Sequence, residues 1–338
     1  MNNQIKTGVS YFGNRNPRHF ISDLEEIITH NCNVIVHTFS ENDQQFYKDT
    51  MREMISMSKD AGLECYLDPW GVGRVFGGET YSSFALKNID ACQILPDGEI
   101  APAICFNNEK FREFMYQWIE DAAEIGADVL FWDEPHFFID LKEKGRYDIW
   151  HCKCDSCSIK FKNQFGGNLF EARREEIIAF REGCVVEFLQ ELCQQTRNLG
   201  MKNAVCLLPF KEDSIGLSDW SKVVAIDSLD IFGTDPYWVF FNESLQEYVG
   251  RFSRDVYELC EQYNKEAQIW IQAYKIPAGR EEELKEAIAV SHAEGVRNFA
   301  AWSYYGNAYM SYNRSENPQK VWDVLGDVYG ELQRGEWA

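Results

Sequence analysis

The stretch "FWDEPHFF", residues 131–138, sets two adjacent carboxylates, Asp133 and Glu134, among four aromatic rings and His136. Acids in such apolar company are costly to desolvate unless they are paired, hydrogen-bonded or functional. The functional version is proton transfer, because an apolar setting favours the protonated carboxyl that a general acid needs. Two more acids have similar surroundings: Asp68 in "LDPWG" and Asp235 in "GTDPYW", each followed by proline and an aromatic residue. Glycoside hydrolysis uses two carboxylic acids, one donating to the leaving oxygen, the other attacking the anomeric carbon or activating water. Glu134, between Trp132 and Phe137, is the candidate acid/base, and Asp235 the candidate partner. Asp133 is an alternative partner or a holder of a substrate hydroxyl, and Asp68 a third candidate. The bland alternative for each is a loop cap or an ion pair with Lys or Arg.

Such chemistry needs a scaffold that gathers acids distant in sequence. Eight short apolar runs read as strands: "IKTGVSYFG", "NVIVHTF", "LECYLDPWG", "ADVLFWDEP", "KNAVCLLPF", "LDIFGTDPYW", "AQIWIQAYK" and "VRNFAAWSYYG". Amphipathic helical segments lie between them, with a long Gly-containing loop after the third strand reaching about residue 107. Eight strand–helix units with right-handed crossovers in 338 residues imply a single-domain (β/α)₈ barrel over 1–338, with a Cys-rich loop insertion at about 136–166. A doubly wound open sheet is disfavoured, since "YFGNRNP" after the first strand is not a phosphate-binding GxGxxG.

Barrel chemistry gathers at the carboxyl ends of the strands. Those ends carry Tyr11; His37; Asp68 and Trp70; Asp133, Glu134 and His136; Asp235, Tyr237 and Trp238; Gln272, Tyr274 and Lys275; Trp302, Tyr304 and Tyr305. Aromatic platforms with carboxylates and amides suit an uncharged sugar, whose C–H faces stack on rings while its hydroxyls hydrogen-bond. The expected substrate contacts are therefore Tyr11, His37, Asp68, Trp70, His136, Tyr237, Trp238, Gln272, Tyr274, Trp302 and Tyr305. Ordinary packing is the competing reading for each ring and imidazole.

Composition narrows the partners. Lys and Arg total 33 against 54 Asp and Glu, a formal charge of −21, which repels nucleic acid and anionic membranes. No apolar run approaches the roughly 20 residues of a membrane span. The start, "MNNQIKTGVSYFG", lacks a signal peptide's basic and apolar regions, so a cytoplasmic protein acting on a small imported carbohydrate is expected. A homo-oligomer is left open. Eleven cysteines in such a chain point to thiols or a metal site rather than a disulfide framework.

"WDEPH" resembles the Asn-Glu-Pro signature of clan A glycoside hydrolases, retaining (β/α)₈ enzymes whose fourth-strand Glu is the acid/base. The resemblance carries over at Glu134 and Pro135, while Asp133 stands where that clan has Asn. The clan's nucleophile is a Glu ending the seventh strand, where this chain has Gln272, so the partner carboxylate is sought elsewhere, at Asp235. "HCKCDSCSIKFKNQFG", with Cys105 upstream, is similar to the four-cysteine zinc site of family 42 β-galactosidases. That resemblance implies a structural Zn²⁺ held by Cys105, Cys152, Cys154 and Cys157, with His151 as a substitute for one of them, and no organic cofactor. A Cys₄ site leaves no open position for water, so its role would be to tie the loops after the third and fourth strands together.

Two rival readings belong to other classes. A metal-dependent sugar isomerase or epimerase would use His37, Asp68, Glu134, His136 and Asp235 as ligands. A carbohydrate-binding barrel without catalysis would account for Gln272.

Overall fold

A computed structural model describes residues 5–139, 150–210 and 217–337. Its strands are β1 (Lys6–Tyr11), β2 (Val34–Thr38), β3 (Glu64–Asp68), β4 (Cys92–Ile94), β5 (Ile100–Ile104), β6 (Val129–Asp133), β7 (Lys202–Leu207), β8 (Ile231–Thr234), β9 (Glu266–Gln272) and β10 (Asn298–Trp302). Eight of them close a barrel in the order β1-β10-β9-β8-β7-β6-β3-β2, every pair parallel. All eight expected strands are in it. The two further strands, β4 and β5, form an antiparallel hairpin inside the long loop after β3. Its turn signal was present in "LPDGEI", an Asp-Gly pair between apolar residues.

The helices are α1 (Pro17–Thr29), α2 (Glu41–Phe46), α3 (Lys48–Asp60), α4 (Ser83–Lys87), α5 (Glu109–Ile125), α6 (Asp155–Phe165), α7 (Arg174–Asn198), α8 (Ser221–Val224), α9 (Trp238–Phe241), α10 (Leu245–Tyr263), α11 (Glu283–Ala293) and α12 (Pro318–Gln333). Helix α5 shows why such segments form. Asn108 caps it by accepting from the Phe111 N–H, and Gly126, at φ +93°, ends it in a left-handed turn. Between the caps, Phe111, Met115, Trp118, Ile119, Ala122 and Ile125 recur every three or four residues and face the barrel. Each large side chain on that stripe contributes about 1.5–3 kcal/mol by leaving water. None of the helices is long and apolar enough to cross a membrane.

Strand alternation separates two cores. Val34, Val36, Tyr66, Val129, Phe131, Ala204, Cys206, Ile231, Trp270 and Ala300 fill the barrel interior. Val9, Ile35, Leu67, Leu130, Trp132, Val205, Phe232, Ile269, Ile271 and Ala301 belong to the core that the helices cover. Because side chains alternate with period two, the inward phase continues to Asp68, Asp133, Gln272 and Trp302 at the strand ends. Tyr11 and His37 fall in the outward phase.

Candidate active site at the carboxyl mouth

Strands β3, β6 and β8 deliver Asp68, Asp133, Glu134 and Asp235 to one mouth. Asp68 is 0% exposed, and neither carboxyl oxygen has a hydrogen-bond partner. Asp235 is 3% exposed, while Asp133 and Glu134 are partly exposed. Glu134 adopts φ +43°, a left-handed conformation costly for a non-glycine residue and one that clusters at functional sites. The surrounding backbone pins it: its N–H donates to the Cys206 carbonyl at 2.9 Å, and the His136 N–H donates to Val75 O at 3.0 Å.

The loop after β3 closes over these acids. The Gly77 N–H donates to Asp133 O at 3.0 Å, and a Cβ at Gly77 would stand 2.2 Å from Asp133 Oδ2 and 3.0 Å from Glu134 Oε2. Only glycine lets the chain come so close. Two acids hold this loop. Buried Glu41 accepts from the Gly73 N–H at 2.9 Å, the Ser82 hydroxyl at 2.6 Å and the Phe84 N–H at 2.6 Å. Glu79 accepts from Asn313 Nδ2 at 2.6 Å, joining the loop after β3 to the loop after β10. Neither Gly77 nor Glu41 was singled out from the sequence; the Gly-Gly pair in "FGGE" was the available sign of a close approach.

The electrostatics alter one expectation. Burial pushes the carboxyls of Asp68, Asp133 and Asp235 well above the usual carboxylate range, so the apolar setting acts on the three aspartates. Negative charge at Glu134 adds to the rise at each. Among the described residues, the only charges acting on Asp68 and Asp133 are other carboxylates. Beneath them lies the Cys206 thiol, 3.9 Å from Asp235 Oδ1 and likewise pushed up by burial.

Rings line the same opening. Phe12 stacks on Trp302 at 5.3 Å and meets Trp70 at 5.0 Å, while Trp302 also contacts Trp270 at 6.1 Å. Tyr237 and Tyr274 meet edge to face at 5.3 Å, and the Asp235 charge acts on both hydroxyls. His136 abuts the acids, its Nδ1 against the Glu134 carbonyl oxygen, and burial lowers its pKa so that the ring is neutral.

Five expected sugar contacts are placed elsewhere or committed elsewhere. The Tyr11 hydroxyl donates to Asp23 of α1 at 2.5 Å, and the ring packs on Phe20. His37 Nε2 meets Ser58 of α3 at 3.1 Å, and burial lowers its pKa to about 3. Trp238 donates to Glu283 of α11 at 2.7 Å. The Tyr305 hydroxyl meets Gln319 of α12. These four residues serve packing between barrel and helices, and Phe12 takes the place Tyr11 was expected to fill. Gln272 lies at the mouth but is fully engaged: its Oε1 accepts from the Val239 and Phe240 N–H groups at 3.0 and 3.2 Å, and its Nε2 donates to Tyr274 O at 2.9 Å. Where clan A has its nucleophile, this chain has a brace between the loops after β8 and β9.

Beside the mouth, the sulfurs of Cys105, Cys152, Cys154 and Cys157 all lie within 4.8 Å of one another and are buried. Cys105 Sγ is 3.2 Å from Cys157 Sγ and 3.6 Å from Cys154 Sγ. Tetrahedral Zn–S bonds of about 2.3 Å place sulfurs about 3.8 Å apart, so the set fits zinc with small adjustments. The surroundings fit thiolates too: the Ile94 N–H donates to Cys152 Sγ at 3.3 Å and Asn107 Nδ2 donates to Cys157 Sγ at 3.2 Å. Hydrogen bonds from the other three cysteines pull Cys154 far below the ordinary thiol range. His151 stays outside the set, its Nδ1 on Cys152 O at 2.9 Å and its ring between Phe137 and Phe180. Of the Cys-rich insertion, residues 140–149 lie outside the described residues. Among the described residues these cysteines are the only side chains of metal-binding type whose ligand atoms converge so closely; the mouth carboxylates do not.

No protein-family model matches the chain, and no curated protein matches it by sequence. Its fold is similar to that of solved (β/α)₈ enzymes. The catalytic domain of a β-amylase from Paenibacillus polymyxa superposes with a TM-score of 0.66 at 11% identity, covering 96% of this chain and 98% of that one. An endo-1,4-β-mannanase from Rhizomucor miehei gives 0.63 at 8% identity, covering 97% and 95%. A D-psicose 3-epimerase gives 0.52 at 8% identity, covering 99% and 100%. At such identities the likeness establishes the eight-stranded barrel.

Proposed function

We propose that this protein is a retaining glycoside hydrolase acting on a short oligosaccharide or glycoside, with Glu134 and Asp235 as the catalytic pair. The observation that carries the reading is that Glu134 and Asp235 meet at Cys206 in the mouth of the barrel: the Glu134 N–H donates to Cys206 O at 2.9 Å, and Cys206 Sγ lies 3.9 Å from Asp235 Oδ1. Retaining enzymes keep their carboxyls about 5–5.5 Å apart, whereas inverting ones need about 6.5–9.5 Å to admit a water. Asp235 as nucleophile requires the shorter of these spacings. The glycosidases among the structural neighbours support the same class.

In this reading Glu134 is the acid/base and Asp235 the nucleophile. Glu134 gives its proton to the leaving oxygen as Asp235 attacks the anomeric carbon; water, deprotonated by Glu134, then releases the sugar. The elevated Asp235 carboxyl supports the reverse assignment as a second reading, with Asp235 donating the proton and Glu134 attacking. Phe12, Trp70 and Trp302 would stack on the sugar, while Tyr237, Tyr274 and Asp133 face its hydroxyls. The four cysteines would hold a structural zinc that ties the hairpin β4–β5 to the start of α6 and so steadies the wall beside Glu134.

A panel of α- and β-aryl glycosides, with the first-formed anomer followed by proton NMR, tests the proposal. Cleavage of one glycoside with retention is expected. Inversion would mean that Asp235 activates a water instead of attacking the sugar. If no glycoside is cleaved, but a sugar binds or Mn²⁺ confers isomerase activity, the binding-only or isomerase reading takes over.

A further inference from the structure

Two carboxyls suffice for hydrolysis, yet the mouth holds four. Asp68 is the one without an assignment: fully buried, on the inward phase of β3, and without a hydrogen-bond donor to either oxygen. Desolvating a carboxylate costs several kcal/mol unless a charge or donors compensate. Among the described residues, no Lys or Arg charge acts on Asp68 or Asp133. A neutral hydroxyl could offer Asp68 one hydrogen bond, whereas an ammonium offers three donors and a full positive charge.

We propose that the preferred ligand of this mouth is an amino sugar with a free, protonated amine, set against Asp68. The inference rests on the glycosidase reading for its chemistry but not for its binding. The partly exposed Trp70 and Trp302, packed on either side of Phe12, put aromatic rings beside the acids, and such rings attract a cation. A formal net charge of −21 steers cations inward and disfavours anionic sugars. A divalent metal would need several oxygens drawn to one point, and the mouth carboxylates are not so arranged.

Calorimetric titration of the whole protein with glucosamine, galactosamine, glucose, galactose and N-acetylglucosamine at pH 6 tests this directly. At least one free-amine sugar is expected to bind about tenfold or more tightly than its neutral counterparts, the difference a charge-assisted hydrogen bond supplies. Asp68→Asn should shrink that ratio toward one, and raising the pH through the amine's own pKa should do the same in wild type. Equal binding of amine and hydroxyl sugars, or binding of neither, overturns the proposal. Sugar binding that requires Mn²⁺ or Mg²⁺ and is abolished by EDTA also overturns it, in favour of a metal site. If amines are preferred but no glycoside is ever cleaved, the hydrolase reading fails and this one stands. If neutral and amino glycosides are cleaved alike, the reverse holds.

Discussion

Two quartets of acidic side chains sit in loops at the same end of the barrel and are treated in opposite ways. The four thiols are closed on themselves: they touch one another, accept N–H donors from Ile94 and Asn107, and carry the geometry of a metal clasp. The four carboxyls are open, with Asp68 buried and unpartnered and the Glu134 charge pushing the buried Asp235 carboxyl up. A self-satisfied cluster lowers the energy of the resting protein and is the mark of a structural site. An unsatisfied cluster raises it, and that cost is recovered when a ligand arrives, as expected of a site that acts on something else.

Substitutions can break that contrast, the largest effect coming first. Cys154→Ser should abolish tight zinc binding and cost on the order of 4 kcal/mol or more, because loss of a structural metal removes folding energy outright. Metal content by mass spectrometry and the thermal midpoint would register both; a variant as stable as wild type would show the thiols to be mere packing. Gly77→Ala forces the loop after β3 off the acids at the end of β6, and a displacement of that size should lower kcat/KM by roughly 10² with the circular dichroism unchanged. Gln272→Glu should bring no new nucleophile and should cost roughly 1–3 kcal/mol in urea unfolding, since the bond to Tyr274 O is replaced by facing oxygens.

Asp68→Asn sharpens the comparison through pH. Burial holds the folded carboxyl well above its unfolded value, so its ionisation weakens the native state as pH rises above about 4. The variant should therefore match wild-type stability below that pH and melt at a higher temperature near neutrality. A variant less stable at pH 7 would mean that Asp68 has a structural partner after all.

The barrel was legible in the sequence because eight apolar strand runs separated by amphipathic segments leave few other topologies. Glu134, Asp133, Asp68 and Asp235 were legible for the same reason, as acids at the ends of buried strands. Tyr11 and His37 were misplaced because reading strand ends without the period-two phase treats both faces alike; the phase set by Val9 and Ile35 points them outward. Trp238 and Tyr305 belong to the loops beyond the strands, where that phase no longer applies. Gly77's approach to Asp133 had only the Gly-Gly pair of "FGGE" as a sign, and the saturation of Gln272 is a tertiary fact with no local signature. The hairpin was in reach, for "LPDGEI" carries its turn.

The most direct test of the central claim compares wild type, Glu134→Gln and Asp235→Asn on whichever aryl glycoside is cleaved, using matched good and poor leaving groups. Both variants are expected to lose 10² or more in kcat/KM on the poor leaving group. The variant lacking the proton donor should recover on the good one, which decides between the two assignments. If either variant keeps activity within tenfold of wild type on the poor leaving group, that carboxyl is not part of the catalytic pair and the account fails.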